Sequence, residues 1–260
     1  MKNKFLTFLM TFRGVIFIFL MIISNQSYSQ NKPLFEQGKS LYKVEKYQEA
    51  ITSWMKILDH EKHSSELYFN LGNCFFQKKE WGKTILNYER ALLITPNETA
   101  ILHNLSLAKS NTIDEIVVLP SFFLTRWWTQ IRNITHSGFW SLLGILFIYV
   151  GIGGIVLWIL GKERITRKQG FFGGMMALGL SIMIFALAYD SFQIQKKSDV
   201  AIIMSKETLL KSLPDEISNE LLPLHEGTKV KIIEKITSWY KVRLDNGEIG
   251  WIIESALEEI

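Results

Sequence analysis

Residues 71–96 read LGNCFFQKKEWGKTILNYERALLITP. The stretch describes a pair of antiparallel helices. Gly72 lets the second helix approach closely, the aromatics Phe75, Trp81 and Tyr88 fill the seam, and Pro96 ends the second helix. Thirty-four residues earlier the pattern recurs: Gly38 superposes on Gly72, Leu34 on Tyr68 and Phe35 on Phe69. The same offset sets Leu41 on Phe75, Tyr47 on Trp81, Ile51 on Ile85 and Trp54 on Tyr88. A third copy starts at Thr99 and supplies only a first helix, with Leu102, Leu105 and Ala108 expected on one face as the cap of the array.

This pattern resembles the tetratricopeptide repeat, matched by Leu71-Gly72, Phe75, Trp81, Ile85, Tyr88, Ala91-Leu92 and Pro96. Thr84 departs from it, where the family favours Ala, and so do Gln37, Ile57 and Lys62 in the first copy. The resemblance implies an all-α repeat solenoid over residues 30–118 whose first helices line a groove. Carried over, the protein-binding residues of that groove are Phe35, Lys39, Tyr42, Asn70, Asn73, Phe76 and Asn104. Each Asn offers both a donor and an acceptor to a peptide backbone. The groove could instead dock a neighbouring segment of the same chain. Cys74, the single cysteine, sits beside Phe75 and Phe76 and reads as a small buried hydrophobe.

Beyond the repeats the composition changes. Residues 139–160 and 170–189 are free of charge and long enough to cross about 30 Å of hydrocarbon. They predict a two-helix transmembrane hairpin, with spans at 138–161 and 170–190 and a loop at 162–169. That loop holds Lys162, Arg164, Arg167 and Lys168, which places it in the cytoplasm by the positive-inside tendency. Gly144, Gly151 and Gly154 line one face of the first span, and Gly173, Ala177 and Ser181 form a small-residue stripe on the second. Such faces let helices pack closely in lipid, against each other or against a further helix. Neither charge-free stretch, 139–160 or 170–189, holds an Asp, Glu, Lys, Arg or His, which argues against a transport path. Residues 119–137, with Phe122, Phe123, Arg126, Trp127 and Trp128, predict a segment lying at the lipid interface, as an anchor or a docking site.

At the N-terminus, Lys2 and Lys4, the apolar run Val15 to Ile23, and Ser27 and Ser29 predict a signal peptide over residues 1–29, cleaved or retained as an anchor. Either outcome sends the flanking domains out of the cytoplasm, into the periplasm, with the hairpin in the inner membrane. The formal charge of +4 carries no nucleic-acid signature. Residues 30–118 hold eleven basic and eleven acidic side chains, and 198–260 hold seven and twelve, so the basic excess belongs to the membrane segments.

Residues 198–260 switch to a strand period. Strands are expected at Val200–Met204, Lys229–Glu234, Trp239–Leu244 and Ile249–Ile253, with Asp245-Asn246-Gly247 as a hairpin turn. Leu224-His225-Glu226-Gly227-Thr228, Trp239-Tyr240-Lys241-Val242 and Gly250-Trp251-Ile252 resemble the bacterial SH3-like family and imply a C-terminal all-β barrel of about five strands. Trp239 and Tyr240 could stack on a ligand there, or could belong to the core, as is expected of Trp251.

Five scattered histidines, no phosphate-binding glycine loop and no nucleophile elbow argue against catalysis, a metal or any other cofactor. The multidomain order resembles the BatE-like family of the Bacteroides aerotolerance (Bat) operon. That resemblance implies a membrane complex with von Willebrand-factor-A-domain proteins and a role in oxygen or envelope stress tolerance. The expectation is therefore a non-enzymatic scaffold for protein partners. The alternative is an envelope sensor whose barrel binds cell-wall peptide or glycan.

Overall fold

The computed structural model describes residues 32–59, 63–116, 120, 122–196 and 199–260. The signal peptide expected at 1–29 lies outside these residues. Five helices come first: α1 (Lys32–Lys43), α2 (Tyr47–Leu58), α3 (Ser65–Gln77), α4 (Trp81–Ile94) and α5 (Thr99–Lys109). Each packs on the next. At Gly72 an added Cβ would come within 2.5 Å of the Tyr88 ring, and at Gly38 it would collide with the Trp54 indole. The 34-residue offset is therefore physical: a glycine on the first helix of each pair seats an aromatic from the second.

The turns repeat as well. Glu45 and Lys79, again 34 apart, adopt φ of 61° and 59°. The N–H groups of Lys46 and Glu80 reach back to the carbonyls of Leu41 and Phe75, while those of Glu45 and Lys79 bond to Tyr42 and Phe76. This closes both helix C-termini with a left-handed residue and no glycine. Helix α4 ends at Ile94, one residue before the Thr95-Pro96 pair, because Pro96 restricts the backbone ahead of it.

Helix α4 is buried around most of its circumference, from Thr84 through Glu89, which a helix packed on one side only would not be. It lies against α3, α5 and the first strand of the C-terminal sheet. Helix α5 buries Ile101, Leu105 and Ala108. Leu105 and Ala108 are on the buried face as expected, while Ile101 completes it in place of Leu102, which is exposed.

Helix α6 (Phe123–Arg132) buries no residue fully, and its Phe123 and Trp127 are open. Two long helices follow, α7 (Ser137–Leu160) and α8 (Arg164–Lys196), both long and apolar enough to cross a membrane. Gly154 meets the backbone of Gly170 and Gly174, Gly151 meets Leu178, and Gly144 meets Phe185, so these glycines of α7 do face α8. On α8 the packing residues are Gly170, Gly174, Ala177 and Ser181. Gly173 is not among them, since a Cβ there meets nothing within 4 Å. The expected 162–169 loop shrinks to three residues, Gly161 to Glu163, because nothing in Arg164 to Lys168 breaks a helix.

The C-terminal unit is a seven-stranded antiparallel sheet in the order β3-β2-β6-β5-β4-β1-β7. Its strands are β1 (Val200–Ile203), β2 (Glu207–Lys211), β3 (Glu220–His225), β4 (Lys229–Ile236), β5 (Trp239–Arg243), β6 (Ile249–Ile253) and β7 (Leu257–Glu259). Three of these, β2, β3 and β7, lie outside the four stretches expected to be strands, and the total of seven exceeds the expected five or so. Gly247 takes φ of 91° in the Asp245-Asn246-Gly247 turn that the sequence marks.

Candidate functional site

The residues expected to line a groove fall into two groups. Phe35 is half-buried, its ring 6.3 Å from that of Trp54, whose indole N–H donates to the Phe35 carbonyl at 3.2 Å. The Lys39 ammonium lies 5.6 Å over the Phe35 ring and pairs with Glu36 at 3.6 Å. Tyr42 meets Tyr47 edge-on at 5.4 Å, and Phe76 meets Trp81 in the same way at 5.4 Å. Asn70 is half-buried and makes no side-chain hydrogen bond to another described residue. These side chains keep part of their surface open.

Asn73 and Asn104 are different. The Asn73 Oδ1 accepts from the Tyr88 hydroxyl at 2.7 Å and from Asn104 Nδ2 at 3.0 Å, tying α3, α4 and α5 together. Their first task is internal. On the sheet, Trp239 is half-buried while Tyr240 and Trp251 are in the core. The Tyr240 hydroxyl donates to Glu259 Oε1 at 2.6 Å and accepts from the Lys235 ammonium at 2.9 Å. The bond to Glu259 pushes the phenol pKa up. Neither face of that ring is available for stacking on a ligand, because Lys235 also lies 4.7 Å over it and the strand is buried at that position.

Sequence reasoning misses the joint between helices and sheet. Ile202 of β1 is fully buried and belongs to the helical core. The carbonyl of Ile203 would stand 3.1 Å from a Cβ on Gly82, so the glycine admits the strand. Glu89 of α4 lies between Lys229 Nζ at 2.7 Å and Lys109 Nζ at 3.2 Å. Burial pushes the Glu89 carboxyl up, but the two ammonium groups outweigh it and hold it below the usual range. Asp114, just after α5, takes the His225 N–H at 2.7 Å, the His225 ring at 2.6 Å and the Thr228 hydroxyl at 2.5 Å. Burial raises this carboxyl too, and the donors from Thr228 and His225 bring it below its ordinary value. Arg90 adds a bond to Glu258 at 3.0 Å and one to the Glu259 carbonyl at 2.7 Å. No pattern within one segment announces partners more than a hundred residues apart.

The joined body stands at one end of the long helix pair. Asp190 of α8 accepts from the Trp128 indole at 2.9 Å and from Arg132 at 3.3 Å, and the Trp140 indole donates to the Arg132 carbonyl at 3.1 Å. The side chain of Asn97, beyond α4, bonds to the Asn133 carbonyl. Helix α6 is thereby clamped between the repeats and the helix pair.

Cys74 is fully buried, and burial pushes its thiol up to about 12. The thiolate is the reactive form. Iodoacetamide at pH 8 is therefore expected to leave Cys74 intact in the folded chain and to modify it within minutes in urea, read by intact-mass spectrometry. Rapid native labelling would contradict the packing of α3.

No known protein-family model matches the chain, and no curated protein matches it.

Proposed function

We propose that this chain is a non-enzymatic inner-membrane scaffold of an envelope complex. In this reading α1–α5 form a tetratricopeptide-repeat array, the sheet is an SH3-like barrel, and α7 and α8 span the membrane. Both soluble units face the periplasm and the short basic loop faces the cytoplasm. The observation that carries the proposal is the joint. Units that precede and follow the hairpin in the sequence are fastened into one body by Glu89, Asp114 and Arg90, on the end of the hairpin away from the basic loop. A rigid platform held at a membrane surface suits the presentation of a binding face, and Phe35, Lys39, Asn70 and Phe76 supply one. Lipid is the natural solvent for α7 and α8, whose Ile159, Leu160, Phe172 and Ile182 are more than half exposed. The resemblance to BatE-like proteins adds the partner class, membrane proteins with von Willebrand-factor-A domains, and a link to aerotolerance or stress tolerance.

The test is in-cell crosslinking and purification from native membranes. Lys39→Ala combined with Asn70→Ala is expected to release such partners while changing stability by less than about 0.5 kcal/mol, as for other surface positions. Unchanged recovery would remove the groove from the proposal. Co-sedimentation of the chain with purified peptidoglycan, dependent on Trp239, would favour the wall-binding sensor instead. An alkaline-phosphatase fusion after Ile260 is expected to be active, and an inactive one would reverse the orientation.

A further inference from the structure

At the far end of the hairpin, Gly161 to Glu163 connect α7 to α8, and the turn opens a cleft of about 530 Å³. Four cations line it: Lys162, Arg164, Arg167 and Lys168. Among the described residues none of the four forms an ion pair, and the acid between them, Glu163, does not line the cleft. Arg167, itself exposed, is tethered by one bond. Its Nε donates to the Trp158 carbonyl at 3.1 Å, which leaves the outer edge of its guanidinium for a ligand. Gly161 permits this, since a Cβ there would press on Arg167 Cγ at 3.1 Å and on the Leu157 carbonyl at 2.5 Å. The wall of the cleft is aromatic. Trp158 and Phe171 meet at 5.0 Å and Phe171 meets Phe172 at 5.4 Å. Directly beside the cations, Leu157, Ile159 and Leu160 present open apolar surface.

We propose that this cleft binds the phosphate headgroup of an anionic phospholipid, with its acyl chains on the adjoining aliphatic face. The proposal rests on the reading of α7 and α8 as membrane spans. The chemistry selects the ligand: four clustered, exposed cations without an ion pair among the described residues favour an anion, and an arginine fork suits a phosphate. Apolar side chains continuous with the charges require that the anion carry hydrocarbon. A free phosphate would leave that surface bare. A basic pocket at the cytoplasmic end of a helix pair lies at the depth of the lipid headgroups, where each cation adds appreciably to the attraction.

The experiment uses the full chain, purified in mild detergent, stripped of lipid, and offered cardiolipin, phosphatidylglycerol or phosphatidylcholine before native mass spectrometry. The anionic lipids are expected to be retained at least about tenfold better than phosphatidylcholine. Arg167→Gln with Lys168→Gln should bring retention down to the phosphatidylcholine level. Arg126→Gln, at the opposite end of the hairpin, should leave it unchanged. Equal retention of all three lipids, or selectivity that survives the double substitution, would overturn the proposal. Displacement of the lipid by millimolar inorganic phosphate at constant ionic strength would assign the site to free phosphate and overturn it too. Carbonate washing of native membranes separates the two readings. A chain released by carbonate does not span, and both fall. A chain that stays but shows no lipid selectivity loses only the headgroup site.

Discussion

Tyr88→Ala is expected to cost the helical unit about 3–5 kcal/mol, a large fraction of the stability a domain of this kind possesses. Three interactions are lost together. The ring is fully buried over Gly72, it packs at 5.8 Å against Phe69, and its hydroxyl holds the Asn73 side chain that Asn104 also grips. The cavity cannot collapse readily, because Gly72 offers no side chain to fill it and α4 is held on its other sides by α5 and β1. Tyr88→Phe separates the contributions. It keeps the packing and removes one hydrogen bond, while Asn73 Oδ1 retains the Asn104 donor, so the loss should be about 1 kcal/mol. Urea unfolding of the full chain in mild detergent, followed by amide exchange along α3 and α4, measures both. An alanine variant no less stable than the phenylalanine one would mean that the seam between α3 and α4 is not the structural centre of the unit.

That seam was open to reading from the sequence because everything in it is local. Gly72 and Tyr88 are sixteen residues apart, and the same pair recurs as Gly38 and Trp54. The strands divided on the same principle. Those rich in Val, Ile and aromatics, β1, β4, β5 and β6, stand out by composition. Strands β2 and β3 carry Leu209, Leu210, Leu221 and Leu222, and leucine does not favour a strand over a helix. Pro223 further disguises β3, yet it is harmless there because β3 is an outer strand of the sheet. The second long helix looked shorter than it is because an apolar run stops at the first charge, whereas a helix stops only where its hydrogen bonds do. Asp190, the last residue of the expected span, carries its carboxylate out to Trp128 and Arg132. Of the expected groove residues, Lys39 and Asn70 keep part of their surface open, but the spacing of Asn73 and Asn104 gave no hint that they are occupied with each other. Glu89 was invisible as a residue of the joint. In the sequence it is one more acid on a helix, and only the fold brings Lys229 to it.

Lys229→Met is therefore expected to weaken the joint between helices and sheet far more than an exposed lysine would. The Glu89 side chain is only 10% exposed and depends on two cations, of which Lys109 is nearly half exposed and farther away. Breaking a fully buried pair costs about 3–5 kcal/mol. Lys229 is itself about a third exposed, and solvent screening reduces the figure to about 2 kcal/mol. The loss should appear as faster amide exchange along β1 and α4, with the centre of the sheet protected as before. Adding Glu89→Gln should recover much of it, because the penalty lies in the stranded carboxylate rather than in the missing lysine. Acid provides the same test without a mutation. The carboxyls of Glu89 and Asp114 both sit lower in the folded chain than in the unfolded one, where they titrate near 4.3 and 3.9. Their contribution is therefore complete at neutral pH and drains away as the pH falls through their folded values. The joint of the wild-type chain should loosen below about pH 4, while Glu89→Gln flattens part of that dependence. Were the exchange rates of β1 in the wild-type chain to stay constant from neutral pH down to about pH 3, after correction for the intrinsic rate, the two carboxylates would not be what holds the sheet against the repeats. Burial of Ile202 against α4 would then have to do so alone.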